Sequence, residues 1–180
     1  VVVDEAFVDF MEEDVSVIDQ VRKYDNLFVL RSLTKFFAFS GLRLGNGVGN
    51  KELISRLKQN KDPWNVNYFA QLAGQIAVED QEYVRQTKEA ITEAKEFLYG
   101  KLQEFSEFKV YYPSANYIFV DISKTSLNSE QLEEKLARQG ILIRNCSTYS
   151  GLEKDFIRLA VKSKKESQQL IRQLGKILKS

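Results

Sequence analysis

Apolar and polar positions along the 180-residue chain change period several times, and each change predicts an element. Val1-Val2-Val3 is a short β-branched run of the kind found in buried parallel strands, and it leads into the acidic stretch Asp4 to Phe10. Ser16 to Tyr24 reads as a helix and Leu27 to Leu30 as the next strand, which together make a βαβ unit. Gly45-Asn46-Gly47-Val48-Gly49 reads as a strand whose glycines admit a close neighbour. It lacks the lysine of a phosphate-binding P-loop and the helix placement of a dinucleotide fingerprint. A helix over Lys51 to Lys58 follows, with Asn50 as its cap, and Asp62-Pro63 breaks it.

Phe69, Leu72, Ala73, Ile76 and Ala77 recur at helical spacing within Tyr68 to Val78, where Asn67 is placed to cap and small residues allow close approach. Gln81 to Glu104 is a long amphipathic helix with Val84, Ile91, Ala94, Leu98 and Leu102 as its stripe. Beyond it, Lys109 to Tyr112 and Tyr117 to Ile122 alternate like strands joined across Pro113-Ser114-Ala115-Asn116. Ser129 to Gln139 is a helix that Gly140 ends. Ile141-Leu142-Ile143 is a strand running into Arg144, Phe156 to Val161 is a strand carrying Arg158, and Lys164 to Leu178 is the closing helix. The fold class is therefore α/β, in two parts: residues 1–80, and residues 81–180 with the long helix linking them.

Composition changes the picture mainly by exclusion. With 43% hydrophobic and 28% charged residues the chain is of ordinary globular make-up. Twenty-six basic residues against 25 acidic ones leave a net charge of +1, so nothing in the bulk balance points to nucleic acid or an anionic membrane, and any anion binding must be local. Cys146 is the only cysteine and there is no histidine, which removes a zinc site, a Ser-His-Asp triad and a Cys-His dyad from within this chain. Cys146 is expected to be packed rather than reactive. No signal-peptide pattern or membrane-length apolar stretch is visible, and the expected location is the cytoplasm. The abrupt start on a strand pattern, without methionine, reads as a piece of a larger protein.

The candidate chemistry concentrates in Arg31-Ser32-Leu33-Thr34-Lys35-Phe36-Phe37-Ala38-Phe39-Ser40-Gly41-Leu42-Arg43-Leu44-Gly45. A lysine amine can condense with an aldehyde to a Schiff base once its lone pair is free, and Ser32 and Arg43 can grip a phosphate, the arginine through forked charge-assisted contacts. Carbonyl chemistry on a phosphorylated cofactor suits this set. A lone lysine would be read as capping a strand, but the combination is not. Asp4 and Lys35, each just past a predicted strand, should face one crevice beyond the carboxyl ends of the strands. Taken alone, Asp4 and Glu5 would be a solvated loop or a cap pair.

This segment resembles the lysine motif of the fold-type I pyridoxal-phosphate enzymes (aminotransferase class I/II), in the branch that holds histidinol-phosphate aminotransferase and threonine-phosphate decarboxylase. The resemblance covers nearly the whole chain and is strongest at Asp4 to Phe10, Ser32 to Gly45 and Gly140 to Val161. It implies that residues 1–80 are the C-terminal part of the large cofactor-binding domain and 81–180 the linking helix and small domain. It implies that Lys35 carries pyridoxal 5'-phosphate, that Ser32 and Arg43 hold the cofactor phosphate, and that Asp4 keeps the pyridine nitrogen protonated, making the ring an electron sink. Where the resembled family often has tyrosine after Asp-Glu-Ala, this chain has Phe7, so a contact to the phenolic oxygen must come from elsewhere.

Arg144 and Arg158 lie at or within predicted strands, and a guanidinium packed on a core needs a partner because it cannot lose its charge. Two such groups suit a dianionic substrate; ion pairing with internal acids such as Asp121 or Asp155 is the alternative. The resemblance implies that Arg158 holds a substrate α-carboxylate, that Arg144 helps bind its phosphate or carboxylate, and that Asn116 stands at the small-domain turn near the site. Phe7 and the segment Gly140 to Leu152 lean toward threonine-phosphate decarboxylase, which implies aminopropanol phosphate supply for cobalamin biosynthesis. Histidinol-phosphate aminotransferase is second, and a non-catalytic interaction module is the rival from another class. The resemblance also implies a small phosphorylated amino-acid substrate and a homodimer, and by itself this piece is expected to be inactive.

Overall fold

The computed structural model describes residues 1–13, 15–152 and 154–179. The chain divides into two compact units, Val1–Thr87 and Lys88–Ser180. The expected α/β class is what the elements make. In the first unit, β1 (Val2–Asp4) and β2 (Phe28–Ser32) pair in parallel, and β3 (Gly45–Gly49) lies antiparallel on the other side of β2. A four-residue helix, α1 (Leu33–Phe36), follows β2 directly. Helices α2 (Lys51–Asn60) and α3 (Tyr68–Glu79) complete the unit together with the first two turns of α4 (Gln81–Leu102).

Glycines in β3 admit neighbours, as the sequence suggests. A Cβ on Gly47 would lie 2.3 Å from the Phe28 ring, and one on Gly45 would lie 2.7 Å from the Arg31 carbonyl oxygen. The parallel crossover differs from expectation: Ser16 to Tyr24 is not an α-helix but holds one five-residue 3-10 turn, Ile18–Arg22. The polar groups here are taken by side chains rather than by a helical ladder, since Ser16 Oγ and Val17 N–H both donate to Glu5.

In the second unit a four-stranded sheet has the order β4 (Lys109–Val110), β5 (Tyr117–Asp121), β7 (Phe156–Ala160), β6 (Arg144–Asn145), all antiparallel. Ile118, Val120, Ile157 and Leu159 point to one face and are at most 1% exposed; they pack against Leu98 and Leu102 of α4, Leu132 and Leu136 of α5 (Ser129–Ala137) and Leu174 of α6 (Lys164–Ile177). Period-two alternation therefore leaves Tyr117, Phe119, Phe156 and Arg158 on the other face. Ile141–Ile143, expected as strand, form no ladder; pairing begins only at Arg144, and Leu142 is 85% exposed. Helix α5 is capped by Asn128 rather than Ser129, in a box closed by Gln131, and α6 by Ser163 with Glu166.

Candidate functional site

The lysine segment is a closed loop. Ser32, the last residue of β2, pairs with Gly45, the first of β3, and the Leu33 N–H donates to the Leu44 carbonyl at 3.1 Å. Everything between them projects from one end of the three-stranded sheet. Asp4, the last residue of β1, lies at that same end because β1 and β2 are parallel and Asp4 pairs with Leu30.

Within the loop each candidate has a local cause. Ser32 caps α1, its Oγ accepting the Thr34 N–H at 3.3 Å and standing 2.7 Å from Thr34 Oγ1. The cap starts a helix where a plain strand end was expected, so Lys35 rides on a helical turn. It is exposed, with Nζ 4.7 Å from the centre of the Phe7 ring. Arg43 is also exposed, and its Nη1 donates to the Ser40 carbonyl at 3.2 Å. The bend that returns the chain holds Ala38 and Arg43 in the left-handed region, at φ +54° and +57°. That conformation costs a non-glycine residue roughly 1 kcal/mol or more and is kept where neighbours enforce it. Asn67 is one enforcer: besides capping α3 at 2.8 Å through Ala70 N–H, its Nδ2 donates to the Leu42 carbonyl at 3.3 Å. Gly74 is a second, because a Cβ there would come within 2.4 Å of Leu44 Cδ2. Asp4 is exposed, and its Oδ1 accepts the Ala6 N–H at 2.9 Å.

Arg144 and Arg158 form a second group, within the second unit, where Asn116 also lies, one residue before β5. In the ladder Arg158 faces Phe119 on one side and Arg144 on the other, so the three side chains make a row across the non-core face. Each guanidinium lies on a tyrosine: Arg158 Cζ is 4.9 Å from the Tyr117 ring centre and Arg144 Cζ is 5.5 Å from that of Tyr149. Arg144 Nη2 also donates to Thr148 Oγ1 at 3.2 Å. Neither arginine is ion-paired among the described residues, and Asp121, one alternative partner, instead accepts the Ser123 N–H at 2.9 Å. The Asn116 carbonyl accepts the Val161 N–H at 2.9 Å, while its buried Oδ1 has no hydrogen-bond partner among the described residues. Cys146 is 2% exposed; burial pushes its thiol pKa up, opposed by the charges of Arg158 and Arg144.

Sequence reasoning passed over the Arg31 guanidinium, which bonds Glu5, Asp9 and Ser16. The signal was present, because Arg31 stands in an apolar strand just as Arg158 does. It also passed over Tyr117 beneath Arg158, whose part depends on strand register. Among the described residues no cluster of three or more His, Cys, Asp or Glu side chains is arranged to hold a metal ion, and no helix is long and apolar enough to cross a membrane.

Comparison with known proteins converges on one group. A protein of Caldanaerobacter subterraneus subsp. tengcongensis provisionally named threonine-phosphate decarboxylase is 36% identical over 176 residues, covering 97% of this chain and 47% of its own length. The histidinol-phosphate aminotransferase of Clostridium kluyveri is 36% identical over 179 residues, covering 99% of this chain and 49% of its own. The crystal structure of histidinol-phosphate aminotransferase from Clostridium acetobutylicum superposes with a TM-score of 0.93 at 30% identity, over 99% of this chain and 54% of that one. The chain thus spans about half the length of the curated relatives it matches, and its fold is that of the pyridoxal-phosphate-dependent transferases. The profile of the aminotransferase class I and II family matches residues 1–174, and the chain belongs to that family.

Proposed function

We propose that this chain is the C-terminal half of a pyridoxal-phosphate enzyme acting on a phosphorylated amino acid, most directly the decarboxylation of L-threonine O-3-phosphate to aminopropanol phosphate for cobalamin biosynthesis. Residues 1–80 then end the large domain and residues 81–180 provide the linking helix and small domain. The carrying observation is the closed loop that returns Arg43 to Ser32 around Lys35, at the sheet end where Asp4 also lies.

The donor set fits the cofactor. Ser32 and Arg43 offer a hydroxyl and a guanidinium for a phosphate, the exposed Lys35 amine suits an aldehyde, and the exposed Asp4 carboxylate suits a protonated pyridine nitrogen. When bound, pyridoxal phosphate supplies an electron sink for a bond broken at the substrate α-carbon. Lys35 would hold the cofactor, and its amine is the base or acid that would move a proton at that carbon. Arg158 binds the α-carboxylate and Arg144 the phosphate. Two guanidinium groups directly opposite in a ladder repel each other when no anion stands between them, so a dianionic substrate relieves a real cost.

Histidinol-phosphate transamination is the second reading, favoured by the same arginine pair and by the 36% identity to the Clostridium kluyveri aminotransferase. A homodimer in the cytoplasm completes the proposal. The deciding assay gives full-length protein threonine phosphate and measures carbon dioxide. Release supports the decarboxylase; no release, with glutamate formed from 2-oxoglutarate and histidinol phosphate, replaces it with the aminotransferase.

A further inference from the structure

Glu5 immediately follows Asp4, and Arg31 immediately precedes Ser32. The last backbone bond between the two parallel strands runs from the Glu5 N–H to the Leu30 carbonyl at 2.8 Å. Past that point, among the described residues, no backbone bond holds the Asp4 turn to the Ser32 turn, and side chains take over. Glu5, only 7% exposed, accepts from Ser16 Oγ at 2.8 Å, the Val17 N–H at 2.7 Å and Arg31 Nε at 3.0 Å. Arg31 continues the network through Nη1 to Asp9 Oδ1 at 2.9 Å and Nη2 to Ser16 Oγ at 3.0 Å. Three stretches of chain are thereby closed around one guanidinium: the turn after β1, the crossover and the end of β2.

Arg31 is one residue from Ser32, yet alternation along β2 turns its side chain to the opposite face. Its Nε, Nη1 and Nη2 each donate to a protein acceptor, which commits three of its five N–H groups to the protein. A buried carboxylate with three donors and a guanidinium with three acceptors is a stiff, directional joint. We infer that Glu5 and Arg31 form a positioning clamp that fixes the Asp4 turn against the Ser32 to Lys35 turn, so that the groups for the ring nitrogen, the phosphate and the aldehyde are presented in one geometry. The inference rests on the proposed cofactor assignment. It makes Arg31 and Glu5 positioning residues, which touch neither cofactor nor substrate.

The test uses full-length protein and two readouts independent of turnover: the dissociation constant of pyridoxal phosphate by visible absorbance titration, and amide hydrogen exchange at Glu5 and Leu33 in cofactor-free protein. Glu5→Gln and Arg31→Gln should each weaken cofactor binding by about tenfold or more and speed exchange at both amides. The double variant should be little worse than either single one, because each already opens the same network. Ser163→Ala, which removes a helix cap in the other unit, should lower thermal stability and leave the cofactor constant unchanged. Arg31→Lys should recover part of the loss, and with Glu5→Gln it carries the test by the same criteria if Arg31→Gln does not fold. Cofactor constants within twofold of wild type, losses that simply multiply in the double variant, or an equal loss in Ser163→Ala overturn the clamp. Cofactor binding that survives Lys35→Ala unchanged overturns the cofactor assignment itself and the clamp with it.

Discussion

Arg158 and Arg31 both interrupt apolar strands, but their surroundings divide their work. Arg31 is closed in by two carboxylates and a hydroxyl, whereas Arg158 has a tyrosine ring beneath it and no hydrogen bond among the described residues. A charge-assisted hydrogen bond contributes about 1.5–3 kcal/mol, so Arg158→Ala should raise the KM of the full-length enzyme for its amino-acid substrate by roughly tenfold or more. Tyr117→Leu should have a smaller effect, about 0.5–1 kcal/mol, since it takes away the platform and leaves the guanidinium in place; steady-state kinetics on both variants checks the order. Cys146 gives a pH prediction. Its folded pKa is raised by burial, so the thiol stays neutral in the fold and ionises first in the unfolded chain. Its contribution to stability is complete below the unfolded thiol pKa and falls as pH rises toward the folded value. Urea unfolding across the alkaline range should show a downward slope that flattens in Cys146→Ala. Which polar residues come together was legible where one chain segment holds them, as at Ser32, Lys35 and Arg43. It was not legible where register decides, as at Tyr117, or where a cation's partners come from three segments, as at Arg31.

At the scale of elements, the long periodic helices and the β5 and β7 strands were readable because each has one buried face and a clear stop. The failures have physical reasons. Ser16 to Tyr24 has helical spacing, but its polar groups are captured by Glu5 from outside the segment, and only a 3-10 turn forms. Ile141 to Ile143 is apolar enough for a strand, yet no neighbouring strand reaches it. The short α1 helix was invisible to periodicity because four residues carry none, and its cap makes it. Caps offer a direct check. Ser163 bonds Glu166 in a reciprocal box that holds the Glu166 carboxyl below the usual carboxylate range, the Ser163 hydroxyl first and Lys162 next. Ser163→Ala should cost about 1 kcal/mol by urea unfolding near neutral pH. The depressed pKa makes this contribution full above the unfolded carboxylate value and lost as pH falls through the folded one, so the cost should shrink in acid. Gly47→Ala should be worse, by about 1–3 kcal/mol, because its Cβ would strike the Phe28 ring at 2.3 Å.

For the whole molecule, the family and the α/β class follow from features inside this chain, which spans about half the length of the curated relatives it matches. The fold places Asp4, Ser32, Lys35 and Arg43 at one end of one sheet, and the central claim is that Lys35 is where the cofactor attaches. Full-length protein mixed with pyridoxal phosphate, reduced with borohydride and mapped by peptide mass spectrometry tests it most directly. The account predicts a stoichiometric reduced cofactor adduct on the peptide bearing Lys35, abolished in Lys35→Ala. An adduct spread over other lysines, or one that persists in Lys35→Ala, would contradict it.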